Sequence, residues 1–407
     1  MHGNRPARLL PSGAGSGAGG RVWVASVSRA SVGYRRSRAS CADAVRDINS
    51  LQPEQPPSAS PWRLSVAPMM AWTDRHCRFF HRLLTRRARL YTEMVTTGAL
   101  LHGDAARHLD FDPVEQPVAL QLGGSEPDDL ATCARLGERW GYAEINLNCG
   151  CPSERVQRGA FGACLMAEPA LVTDCVRAMR DAVAIPVTVK HRIGIDRQES
   201  YAFVRDFVGT VAQGGCDVFI VHARNAWLHG VSPKENRELP PLRHDVVAAL
   251  KSDFPQLLFV LNGGVGADEQ IAAHLGVVDG VMVGRAAYHQ PWDLVAWDER
   301  FFDSAHPLPT RDEVEAAMVG YMERLVARGE PWSHASRHIL GLRNGEPGAR
   351  RWRQVWSDPR WKGETPATVS RLARQALAGT FNPAAAPATS PAPPRPTQAR
   401  TPRLATR

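Results

Sequence analysis

The chain has 407 residues, enough for a large core, and a formal charge of +8. That charge is uneven: residues 1–60 carry +5, residues 381–407 carry +4, and residues 61–380 are left near −1. The high isoelectric point is thus a property of two arms and does not by itself argue for nucleic acid, and no apolar run reaches the ~18 residues that span a bilayer.

Taken from the start, residues 1–60 are rich in Arg and Ser and poor in acids, which is the makeup of an organellar transit peptide. The simpler reading is a disordered basic extension, or a start Met assigned too far upstream. Residues 51–61 read as a linker. Eight strand candidates follow: Arg63–Pro68, Leu90–Met94, Pro117–Leu122, Glu144–Leu147, Pro186–Lys190, Val218–His222, Leu257–Asn262 and Gly280–Val283. Helical patterns separate most of them, the clearest being Asp74–Leu84, Asp128–Trp140, Glu168–Val183, Tyr201–Gly214, Asp245–Asp253 and Asp268–Leu275. The strands are short, β-branched and apolar on both faces, as buried parallel strands should be. Strand and helix in alternation predict an α/β fold, a (β/α)8 TIM barrel over residues 61–307. A doubly wound sheet would need a phosphate-binding fingerprint after its first strand, and Ala67-Pro68-Met69-Met70 is not one.

From about Leu308 the pattern is purely helical: Arg311–Ala327, His338–Gly345, Ala349–Trp356 and Thr365–Ala378. These predict a small C-terminal helical-bundle domain over 308–380. Residues 381–407 are rich in Pro and Ala and are expected to be a disordered basic tail. Eight Cys are scattered without a Cys-x-x-Cys pair or zinc-finger spacing. That usage predicts reduced thiols, no metal and a cytoplasmic setting.

If the barrel closes, chemistry belongs at the carboxyl ends of its strands. There stand Pro68, Met69 and Met70 after the first strand, Gln121 on the third, Asn148 and Cys151 after the fourth, Lys190 on the fifth and His222 on the sixth. Asn262-Gly263-Gly264 and Gly284-Arg285 close the seventh and eighth. Glycines there let backbone N–H groups approach phosphate oxygens, and Arg285 adds a bidentate fork. Taken singly, Lys190 is a solvated terminus, His222 a structural His, Asn-Gly-Gly a common turn, and Cys149 and Cys151 ordinary buried thiols. Taken together they suit a flavin mononucleotide, with the phosphate on the glycine loops, Gln121 against the ring, and Lys190 opposing the charge of the reduced ring.

The chain resembles the tRNA-dihydrouridine synthases, in particular their A subfamily. The motifs that carry the resemblance are APMMAWTDRHCRFF (67–80), EINLNCGCPSERVQRGAFGACLM (144–166), VKHRIGID (189–196), HARNAWLHGVSPKENRELPPL (222–242) and NGG (262–264). The run from Ser232 to Arg237 is the part characteristic of the subfamily. Asn225, Cys149 and Met70 depart from the frequent Lys, Val and Leu. The resemblance implies NADPH-driven, FMN-dependent reduction of uridine to dihydrouridine at positions 20 and 20a of the tRNA D-loop, with NADH as an alternative donor. Hydride goes to carbon 6, and Cys151 is the acid for carbon 5. Pro68, Met69, Met70, Gln121, Lys190, His222, Asn262, Gly263, Gly264, Gly284 and Arg285 hold the flavin. Asn148, Lys234, Arg237, Arg350 and Arg353 meet the RNA.

The residues support these roles. A general acid must be protonated at working pH, which an ordinary Cys thiol near ~8.5 satisfies. A stacked uracil must be turned out of the RNA to be reached. Between Arg337 and Arg374 nine basic residues face three acids, and Trp352, Trp356 and Trp361 interleave with them. The arginines suit phosphates, whereas core packing is expected for at least two of the tryptophans. A monomer is expected. Three other readings remain open: an FMN barrel acting on a free pyrimidine, an RNA-binding protein without catalysis, and a sugar-phosphate enzyme with Lys190 as a Schiff-base amine.

Overall fold

The computed structural model describes residues 60–232 and 234–381. The expectations for the two arms, apart from Ser60 and Phe381, lie outside the described residues, as do Cys41 and Pro233. Nine strand segments form one parallel sheet: β1 (Leu64–Val66), β2 (Arg89–Tyr91), β3 (Val95–Thr96), β4 (Val118–Gly123), β5 (Glu144–Cys149), β6 (Val187–Arg192), β7 (Val218–His222), β8 (Leu258–Asn262) and β9 (Gly280–Val283). Strands adjacent in sequence are adjacent in space, and β9 pairs back onto β1. Closure gives every strand but the short β3 a partner on both sides, which is why such short strands are stable.

Eight staves arise from nine segments because the second is interrupted. β2 pairs with β1 and β4, the chain leaves the ladder over Thr92–Met94, and β3 rejoins beside Leu122 and Gly123. Helices between the staves start where local chemistry satisfies their first N–H groups. Asp74 accepts from the N–H groups of His76 and Cys77 to cap the helix Arg75–Arg82, and Ser200 caps Tyr201–Ala212. Pro occupies the first turn of Pro127–Trp140 and Pro169–Ala182, where no N–H is needed. Glu115, fully buried, holds Arg78 at 2.7 Å and fixes the first helix to the barrel wall.

After the barrel come helices Arg311–Ala327, Ser333–Ser336, Ala349–Ser357 and Pro366–Ala378. They gather around one buried carboxylate, Glu315, which meets Arg343 at 2.8 Å, the indole N–H groups of Trp352 and Trp356, and the Ser370 hydroxyl at 2.9 Å. Trp352, Trp356 and Trp361 are all core residues. This bundle lies against the helix Arg75–Arg82: Phe79 stacks on Tyr321 at 4.1 Å, and His76 Nδ1 is 2.7 Å from the Tyr321 hydroxyl. Asp74 bonds Arg337 and His338 across the same junction. All described residues belong to one compact unit.

Two expectations need correction. His338–Gly345 is not a helix; only Ile339–Gly341 makes a single 3-10 turn. Gly345 and Gly348 both adopt left-handed φ values (84° and 85°), which break a right-handed helix. The strands are also not apolar on both faces. Glu144, Asn146 and Asn148 alternate along β5 toward the barrel interior, where they meet Gln121 and Thr188. A period of two with polar residues inside is masked in the sequence by the apolar residues between them.

Candidate active site

The carboxyl ends of the strands open into one cleft of about 1300 Å3. Small-molecule pockets run to roughly 300–1,000 Å3, so there is room for more than one flat ring. Cys151, Asn148, Gln121, Lys190, His222 and Asn262 line it, together with Pro68, Met69, Met70, Gly263, Gly264, Gly284, Arg285 and Arg237. Lys234, Arg350 and Arg353 are not part of its wall; all three are exposed.

The thiol of Cys151 sits in a loop pinned at both ends. Its N–H donates to Asn148 Oδ1 at 2.9 Å, and its carbonyl accepts from the Ala163 N–H at 2.9 Å. Gly162 is left-handed (φ 77°), and a Cβ there would fall 2.7 Å from the Cys151 carbonyl oxygen. Sγ is half-buried and 3.5 Å from Ser153 Oγ. Cys149, two residues earlier, turns into the hydrophobic core, where burial pushes its thiol well up. The buried-thiol reading therefore holds for Cys149 and fails for Cys151.

On the same cleft, positive charge accumulates. Lys190 Nζ donates to Asn262 Oδ1 at 2.9 Å, and Asn262 Nδ2 donates to the Met282 carbonyl at 2.8 Å. Burial, with Arg192 beside it, pushes Lys190 down to about 7. Burial and four neighbouring cations, among them Arg192 and Lys190, hold His222 well below its ordinary value. Arg224 and Arg237 are lowered by burial and then by Arg285. Among the described residues the one carboxylate bonded to this group is Glu238, 2.8 Å from Arg285. Such mutual repulsion is relieved by an anion.

The backbone beside the cations is shaped for a close approach. Gly263 and Gly264 have φ of 111° and 73°. A Cβ on Gly263 would lie 2.6 Å from His222 Cδ2, and one on Gly264 would overlap Leu242. A phosphate fits this cradle, and a flat ring fits the floor where Gln121 and Asn148 present amide groups.

Arg192 and Arg224 were not among the residues selected from sequence. Arg192 is nearly fully buried and clamps two loops, donating to the carbonyls of Gly150 (3.2 Å), Asn225 (3.1 Å) and Asn236 (3.1 Å). Burial pushes it down to about 10. Each of the two arginines stands two residues beyond a selected strand-end residue, so extending the alternation by one step finds them. Glu93 and Met94 reach the cleft only because the second stave is interrupted, and no local pattern announces that break.

The family model for dihydrouridine synthase (Dus) matches residues 65–378. A tRNA-dihydrouridine(20/20a) synthase of Pseudomonas putida is 58% identical over 317 residues, covering 78% of this chain and 94% of its own length. Proteins of that same name from Pseudomonas aeruginosa (57% over 328 residues, 81% and 99% covered) and Synechocystis (57% over 295 residues, 72% and 88% covered) are similarly related.

Proposed function

The chain belongs to the dihydrouridine synthase family and is an oxidoreductase of that class, and from this premise we propose that it reduces uridine to 5,6-dihydrouridine at positions 20 and 20a of the tRNA D-loop, with bound FMN and with NADPH as electron donor. The observation that carries the reading is the pairing of a half-buried thiol with a cation-rich glycine cradle across one cleft.

A flavin mononucleotide held there would supply the hydride for carbon 6 of the uracil. Gly263, Gly264, Gly284, Arg285 and Arg224 hold its phosphate. Pro68, Met69, Met70, Gln121, Lys190, His222 and Asn262 surround its ring. Lys190 is the group that answers negative charge near the ring: poised at about 7, it takes up a proton when an anion arrives beside it. Cys151 delivers the proton to carbon 5, and its half-buried position lets water restore that proton afterwards. Asn148 fixes the loop on which the thiol rides, and its amide faces the same space. The extruded base enters between the thiol and the cradle, which excludes water from the reacting carbons.

Binding of the RNA falls to Lys234, Arg237, Arg350 and Arg353, all exposed cations. The barrel (61–307) carries the chemistry and the helical region (308–380) grips the tRNA, in the cytoplasm. The test is direct. Purified protein should be yellow, be reduced by NADPH faster than by NADH, and form dihydrouridine at positions 20 and 20a of tRNA lacking the modification. A colourless protein, or a flavin that free uracil reoxidises as fast as tRNA does, would overturn the proposal.

A further inference from the structure

The barrel interior carries a hydrogen-bonded ladder that runs from its closed end to the catalytic loop. Gln121, Asn146 and Thr188 lie in one register row across β4, β5 and β6. Thr188 Oγ1 donates to Glu144 Oε1 at 2.6 Å and accepts from Asn146 Nδ2 at 2.8 Å. Asn146 Oδ1 accepts from Gln121 Nε2 at 2.8 Å, and Gln121 Oε1 accepts from Asn148 Nδ2 at 2.8 Å. Asn148 Oδ1 then accepts from the N–H groups of Gly150 (3.0 Å) and Cys151 (2.9 Å). The five side chains from Glu144 to Asn148 are all buried.

The direction of this ladder is determined at both ends. At the lower end the other neighbours of Glu144 are donors: Trp62 Nε1 at 2.7 Å, the Tyr91 hydroxyl at 2.8 Å and Arg89 Nη1 at 3.1 Å. Glu144 therefore accepts, and the Thr188 hydroxyl must spend its single proton on it. At the upper end backbone N–H groups can only donate. Three amides, Asn146, Gln121 and Asn148, whose ends are otherwise interchangeable, are thereby held in one orientation each. Gln121 and Asn148, which line the cleft, each keep one amide N–H outside the ladder, and the Cys151 loop hangs from the last carbonyl.

We propose that Glu144, Asn146 and Thr188 are positioning residues for the reaction, acting through Gln121 and Asn148 to set the donor pattern offered to the ring and the placement of the Cys151 thiol. The inference rests on reading the cleft as a flavin and uracil site. None of the three residues lines the cleft.

The test uses the full chain stripped of flavin and titrated with oxidised FMN, and reads the alkylation rate of Cys151 against pH. Thr188→Val keeps the shape and removes the ladder's first two links, to Glu144 and from Asn146. It is expected to weaken FMN about tenfold, the worth of one to two buried hydrogen bonds, to alter the bound-flavin absorbance band and to displace the Cys151 alkylation profile. Thr188→Ser should restore all three. Tyr91→Phe, which removes a donor to Glu144 outside the ladder, should leave them as in the parent. A folded Thr188→Val with parental FMN affinity, band and alkylation profile overturns the proposal. If Thr188→Val does not fold, Thr188→Cys, whose thiol bonds weakly in both directions, should show intermediate values; parental values there overturn the proposal equally. A parent protein that binds no FMN would instead sink the reading of the cleft itself, so the two failures are distinguishable.

Discussion

Two thiols two residues apart make the sharpest contrast at the level of single side chains. Cys151→Ala should cut dihydrouridine formation about 10²–10⁴-fold, the usual worth of a positioned general acid, while flavin content stays unchanged. Cys149→Ala should keep most turnover and lower the melting temperature, because it empties a buried site in the core. Equal losses in both variants would remove Cys151 from its role. Lys190 gives a pH signature whose sign is fixed. Its folded value, about 7, lies below the ordinary 10.5, so without ligand it is mostly neutral above pH 7. An anion beside it raises that value, so FMN binding at about pH 8.5 should take up a proton, and at about pH 6 Lys190 should contribute none. Calorimetry in buffers of different ionisation enthalpy reads the difference, and Lys190→Met should abolish it. Cys151 and Lys190 were legible in the sequence because strand ends are where barrel chemistry sits. Arg192 was not, since burying an arginine depends on three carbonyls from two distant loops.

Among secondary elements, the helix Arg311–Ala327 shows how one buried charge organises its neighbours. Glu315 meets donors from Arg343, Trp352, Trp356 and Ser370. Glu315→Ala would leave Arg343 with two of its three carboxylate partners, Asp312 and Glu346, and two indoles unbonded. We expect it to destabilise the protein by about 3–5 kcal/mol, the cost of breaking a buried pair, measured by urea unfolding; a loss below about 1 kcal/mol, no more than an exposed ion pair, would show that the hub is dispensable. Amphipathic periodicity revealed this helix; the Thr310 and Glu313 capping box that satisfies its first turn emerges from the structure. Periodicity failed over His338–Gly345 because glycine breaks lie at its end, and the apolar spacing that looked helical belongs to turns packed on the barrel. It failed differently along β5. There alternation was present, yet the inward residues are the polar ones, stable only because partners on β4 and β6 satisfy them.

For the molecule as a whole, closure of the barrel was readable from repetition alone: each unit looks the same whichever way it packs. How the helical bundle docks was not, because its contacts join residues some 240 or more positions apart. Those contacts make removal of residues 308–407 a poor test of RNA binding, since it would expose His76 and Phe79, both now covered by Tyr321. Charge is the cleaner probe. Affinity for tRNA should fall steeply from low to physiological salt, and replacing Arg350 and Arg353 by Ala should flatten the log-log slope by about 1.4–1.8, near one phosphate each. An unchanged slope would place the RNA elsewhere. Asp74 has a last consequence. It caps the first barrel helix and also grips Arg337 and His338. One carboxylate is thus hinge pin and fastener together. A chimaera that borrows its bundle from another enzyme would inherit correct docking only if the graft brings an equivalent Arg-His pair; without it, the borrowed half should sit askew and modify a neighbouring base.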